Sequence, residues 1–141
     1  LAALLFFSGN AFHLTTPDYS PDQTRFANQI KAGPKPDARV VAVNHYELTL
    51  FYYLDTPVDM RTTDPRFFEI VDSAPILHRM GGVTLERPDE LVANLAKSPF
   101  YALTSSASLP LLCGATGQHC RPEGPLTVTK GEHLMLISNV K

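Results

Sequence analysis

The sequence predicts an α/β fold with a mixed, mostly parallel sheet flanked by helices and an antiparallel pair of strands at its C-terminal end. Three observations carry this. Short apolar runs alternate with stretches of helical periodicity, the pattern of parallel β-α-β units. Arg39 to Val43 (RVVAV) is a β-branched run of the kind buried on both faces of a sheet. The last two apolar runs are joined at Lys130-Gly131 by too few residues for a crossover, so they must lie antiparallel.

The elements follow in order. Ser20-Pro21-Asp22-Gln23 reads as a helix start, with serine as N-cap, proline at the first helical position and Gln23 closing a capping box. Phe26, Ala27 and Ile30 then form one apolar stripe, and Gly33-Pro34-Lys35-Pro36 ends the helix. After RVVAV, Asn44 and Glu47 frame a second capping box opening the helix HYELTLFYYL, with Leu48, Phe51 and Tyr52 on one face. Asp55-Thr56-Pro57 stops it, and Val58-Asp59-Met60 is a second strand. Asp64-Pro65 begins a third helix through Phe67, Phe68 and Val71. The stretch from Ala74 to Leu85 has no clear period and holds a turn at Gly81-Gly82. Arg87-Pro88 opens a helix through Leu91, Val92, Leu95 and Ala96. Phe100 to Thr104 is a strand, and Leu109 to Leu112 a short turn or helix. Pro125 to Thr129 and His133 to Ser138 close the sheet.

The chain has 141 residues, 44% of them hydrophobic, enough for one domain with its own core and too apolar for disorder. A net charge of −2 excludes the basic surface of a nucleic-acid binder. Leu1 to Phe7 (LAALLFF) is wholly apolar. Seven residues cannot span a bilayer, which takes about 20. They read either as the end of a transmembrane helix or as an apolar N-terminal segment, with residues 8–141 forming a single domain. Cys113 and Cys120 flank a Gly-rich spacer that favours a disulfide over two reduced thiols. A zinc site with His119 would lack a fourth ligand and the usual spacing.

Motifs for phosphate, dinucleotide, zinc-protease, calcium and nucleophile-elbow chemistry are absent. No metal site or cofactor is expected in the domain. In folds of this class ligands sit beyond the carboxyl ends of the strands. That places Asn44, His45 and Tyr46 after the first strand, and Ser105 and Ser106 after FYALT, as the candidate contact residues. His45 is read as a ligand contact or an exposed helix-start residue, and His133 as a packing or edge residue within a strand. Tyr46, Phe51, Tyr52 and Tyr53 suggest an aromatic box for a sugar or lipid. Helical spacing favours the plainer reading, with Phe51 and Tyr52 in the core and Tyr46 and Tyr53 half-buried. Ser105, Ser106 and Ser108 suit an anion, or more simply a turn. Glu86, Asp89 and Glu90 are an acid–base candidate, but Asp89 and Glu90 fit better as first-turn charges facing a helix dipole.

The segments SPDQTRFANQIKA, RVVAVNHYELTLFYYLDTPV, RPDELVANLAKSPFYALTS and GEHLMLISN, in that order, carry a resemblance. The chain resembles the C-terminal soluble domain of bacterial polytopic membrane glycosyltransferases of the GT-C type, the 4-amino-4-deoxy-L-arabinose transferase and protein mannosyltransferase group. The stretch Thr62 to Gly82 and the Cys113–Cys120 loop depart from the pattern. The resemblance implies an extracytoplasmic accessory domain, facing the periplasm at the bacterial inner membrane, with LAALLFF ending the last membrane helix. It implies a parent enzyme that moves a sugar from a polyprenyl-phosphate carrier to a lipid, glycan or protein acceptor. Catalytic acids of the family belong to a loop outside this chain, so no catalytic residue is carried over. The implied partners are the transmembrane part of the same polypeptide and the lipid-linked sugar or acceptor, not nucleic acid. The competing expectations are a free-standing periplasmic or secreted ligand-binding module and a small cytosolic enzyme.

Overall fold

A computed structural model describes residues 18–47, 49–75 and 82–140. Its elements are helix α1 (Ser20–Ala32), β1 (Arg39–Val43), α2 (Thr49–Leu54), β2 (Val58–Thr62), α3 (Pro65–Asp72), β3 (Val83–Leu85), α4 (Pro88–Leu95), β4 (Phe100–Ser105), α5 (Leu109–Cys113), β5 (Thr127–Lys130) and β6 (Leu134–Ser138). Short 3₁₀ turns precede and follow α5. Leu1 to Phe7, Leu48 and Gly81 lie outside the described residues.

The strands form one six-stranded sheet in the order β3-β2-β1-β4-β6-β5. β1 pairs in parallel with β2 (Val40 opposite Val58) and with β4 (Val40 opposite Tyr101). β2 and β3 are also parallel. β6 runs antiparallel to both β4 and β5, with Ile137 opposite Ala102 and Val128. This is the mixed, mostly parallel sheet that the pattern predicts.

The period of two sorts the side chains into two cores. Val40 and Ala42 of β1 and Tyr101 and Leu103 of β4 face one side, packing with Phe26 and Ile30 of α1 and Leu50 of α2. Val41, Val43, Phe100 and Ala102 face the other, packing with Leu91 and Leu95 of α4 and Leu112 of α5. Covered on both faces, β1 has no room for polar residues after Arg39, which is why it reads as an unbroken β-branched run. Phe26 is fully buried, and enclosing a side chain of its size contributes about 1.5–3 kcal/mol.

Several boundaries differ from the sequence reading. α1 includes Ser20, with Tyr19 at the N-cap position and no side-chain cap. Gln23 closes no capping box, because its amide reaches across to Glu47 instead. The second helix starts at Thr49, since residue 44 has φ +51, a left-handed conformation that Asn tolerates and a helix start does not use. Glu47, not Asn44, accepts the orphan N–H of Leu50. Tyr52 is 76% exposed rather than core, because this six-residue helix turns Leu50 inward and Tyr52 outward. Tyr53 and Tyr46 are 38% and 44% exposed. The side chain of Phe51 lies outside the described residues. β3, three residues long, falls within the stretch that had no clear period. His133 precedes β6 rather than lying in it.

Candidate functional site

From β1 the chain moves outward to β2 and β3, then returns to β4 on the other side of β1. The carboxyl ends of β1 and β4 therefore flank the point where the winding reverses, where this class of fold opens a crevice. Asn44, His45 and Tyr46 follow β1 there, while Ser105 ends β4 and Ser106 follows it.

Asn44 joins the loops of this edge. Its Oδ1 accepts from Thr62 Oγ1 (2.7 Å) and from the Thr63 backbone N–H (2.9 Å). Its Nδ2 donates to Thr63 Oγ1 (3.1 Å) and Ser108 Oγ (3.4 Å). The left-handed backbone turns the amide across the sheet ends, and its hydrogen bonds are spent on neighbouring loops. Beside it, Thr104 Oγ1 donates to the Val43 carbonyl at 2.8 Å, tying β4 to β1.

His45 is not the exposed helix-start residue of the alternative reading, being only 9% exposed. Its Nε2 lies 3.3 Å from Glu47 Oε2, so the ring donates there. Glu47 is 1% exposed and also accepts from Gln23 Nε2 at 2.9 and 2.7 Å and from the Leu50 N–H at 2.8 Å. Burial pushes this carboxyl up. The hydrogen bonds from His45, Gln23 and Leu50 outweigh burial and hold it below its ordinary value. The Tyr19 ring stands edge-on to both His45 (5.2 Å) and His133 (6.0 Å).

A second buried carboxylate lies one residue before Gln23. Asp22 accepts backbone N–H groups from Glu132 (2.7 Å), His133 (2.7 Å) and Leu134 (2.9 Å), fixing the β5–β6 turn to the start of α1. Desolvation raises this carboxyl, but those three N–H groups lower it more.

The sequence reading missed Asp22, Gln23 and Glu47 as buried groups. A signal for the first two was present. Positions 22, 23, 26, 27 and 30 form one continuous helical stripe, so the two polar residues occupy its first buried turn.

The other carboxylates do not converge. Glu86 pairs with Arg61 (2.8 Å) and accepts from Asn94 Nδ2 (2.6 Å). Asp89 pairs with Arg87 at 2.7 Å, and Glu90 accepts from the Arg87 N–H. Cys113 and Cys120 are joined by a disulfide. Among the described residues no group of three His, Cys, Asp or Glu side chains is placed to hold a metal.

At the edge itself, Tyr46 and Ser106 are exposed and Ser105 is half-buried, whereas Asn44, His45 and Glu47 are engaged with one another or with neighbouring loops. Away from the edge, an apolar cavity of about 340 Å³ is lined by Val92, Leu95, Phe100, Leu112, His119 and Leu126 among others, and by none of the five predicted contact residues.

No family model and no curated protein matches the chain. A solved structure does: ArnT from Cupriavidus metallidurans bound to undecaprenyl phosphate, at a TM-score of 0.55 and 18% identity, over 85% of this chain. The two share a fold. The chain corresponds to 20% of the length of that ArnT chain, so the likeness is to one part of a larger protein. Among the described residues no helix is long and apolar enough to cross a membrane.

Proposed function

We propose that this chain is an accessory extracytoplasmic domain of a membrane glycosyltransferase. The parent enzyme transfers a sugar from a polyprenyl-phosphate carrier to a lipid, glycan or protein acceptor at a bacterial inner membrane. The observation that carries this reading is the fold shared with ArnT over 85% of the chain. The order of sequence phrases from SPDQTRFANQIKA to GEHLMLISN supports it as well. The transmembrane part of the same polypeptide is the principal partner, and the catalytic groups lie in that part. The domain itself is inactive alone and needs no cofactor. Its role is to cap the membrane site, with the edge at Asn44, His45 and Tyr46 shaping access of the acceptor.

Two measurements test this. An antibody to the domain should detect, in the membrane fraction of native cells, a protein several times larger than 15.5 kDa. A soluble band near that mass would remove the reading. In the intact enzyme, Tyr46→Ala should raise KM for the acceptor about tenfold, the effect of losing a contact of ~1.4 kcal/mol. Tyr46 is exposed, so its removal leaves the fold intact. Transfer unchanged by both Tyr46→Ala and His45→Ala would rule out the edge. A free-standing ligand-binding module is the second reading, favoured by the 340 Å³ apolar cavity beside α4. The soluble band would select it.

A further inference from the structure

We infer that the segment from Asn44 to Leu54, presenting Tyr46, Tyr52 and Tyr53, seats the domain on the lipid headgroup layer of a membrane. The inference rests on the reading of the parent as a membrane protein, and adds which surface meets the lipid.

Three observations carry it. The first is exposure. Tyr46, Tyr52 and Tyr53 are 44%, 76% and 38% exposed, three large rings within eight residues of sequence. A ring with an apolar body and a hydroxyl tip is the side chain that settles where hydrocarbon meets water. The second is charge. Glu47 is the one charged residue between Asn44 and Leu54, and it is 1% exposed. The segment therefore offers aromatic area with no exposed formal charge until Asp55, which is exposed directly after it. The third is the route of the chain. The Tyr19 ring lies 5.2 Å from that of His45, next in sequence to Tyr46. Eleven residues lie between Phe7, the last of the apolar run, and Tyr19. They reach at most roughly 40 Å when extended. An apolar run ending at one bilayer surface and the tyrosine segment can thus meet the same surface.

The chain contains no tryptophan, so a single introduced indole is an unambiguous reporter. The whole 141-residue chain would carry either Tyr52→Trp or, as control, Val92→Trp on α4, which packs on the opposite face of the sheet. Each would be mixed with phosphatidylcholine–phosphatidylethanolamine vesicles, with and without lipid brominated high on the acyl chain. The expected result is a blue shift and bromolipid quenching for the indole at position 52, and neither at position 92. Replacing a third of the lipid by phosphatidylglycerol should change binding less than about twofold, because an uncharged segment gains nothing from a negative surface.

No vesicle binding, bound protein with no quenching at position 52, equal quenching at both positions, or binding only to anionic vesicles would each overturn the inference. The two readings fail separately. A large membrane-bound parent together with an unquenched indole at position 52 removes this surface and leaves the proposed function standing. A soluble native protein of about the chain's own mass removes the function.

Discussion

Glu47 shows how one buried acid sets a local structure. Both of its oxygens are occupied, Oε1 by Gln23 and the Leu50 N–H and Oε2 by Gln23 and His45. Truncation by Glu47→Ala strands the buried Gln23 amide and the Leu50 N–H together, and should cost about 3–5 kcal/mol in a denaturant melt. Glu47→Gln keeps the shape but turns an N–H₂ toward donors, at about 1–3 kcal/mol. The pH dependence has a fixed sign. The folded carboxyl titrates below its ordinary value of 4.5, so its stabilisation is fully present above that pH and is lost as pH falls through the lower folded value. Melts between pH 7 and pH 3 should show a decline in the wild type that is shallower in Glu47→Gln. Parallel declines would show that other carboxylates control acid unfolding. This network was hard to read because Gln23 and Glu47 each sit three residues from a plausible N-cap, and a local capping box competes for the same side chains. Only the fold brings residues 23 and 47 together. Asn44 was legible as an edge residue but not as the tie between loops, since its partners Thr62, Thr63 and Ser108 lie 18 to 64 residues away.

Elements with many apolar positions were readable, and those with few were not. RVVAV and FYALT are buried on both faces, and that enclosure selects their composition. β3 has one buried residue, Val83, on an edge strand, so no period could emerge from three positions. Helix α2 begins later than the pattern predicts, because Asn44 and Glu47 stand at capping-box spacing while residue 44 is left-handed and Glu47 caps Leu50 instead. The cysteine loop makes a quantitative case at this scale. Cys113 ends α5 and Cys120 ends the following 3₁₀ turn, so the disulfide closes a loop with a separation of 7. Closing so short a loop constrains the unfolded chain by about 2–3 kcal/mol. Cys113→Ser with Cys120→Ser should lower unfolding free energy by that amount, and dithiothreitol should do the same to the wild type. Denaturant midpoints that ignore both would mean that α5 is held by Leu112 packing alone.

The whole molecule depends on bringing its two ends together, and Asp22 is where they meet. Its carboxylate binds N–H groups 110 to 112 residues further along, locking the β5–β6 turn to the first turn of α1. The sequence shows the antiparallel hairpin through its short joint and shows α1 through its stripe, but a contact of this span leaves no local trace. Gly131 reports on the same lock. A Cβ there would collide with the Asp22 carboxylate, which is itself only 2% exposed and held by three hydrogen bonds. Gly131→Ala should therefore cost about 1–3 kcal/mol, the usual penalty of overpacking. Asp22→Ala should destabilise on its own, by stranding three N–H donors. The two must not add. Once the carboxylate is gone, the new methyl group has space, so Gly131→Ala should cost little in the Asp22→Ala background. Residues sharing one contact in this way show coupling of about 0.5–3 kcal/mol. A double-mutant cycle in urea measures it directly. If Gly131→Ala costs the same with and without Asp22, the turn is not held by this carboxylate, and closure of the two ends must come from the sheet pairing of β6 with β4.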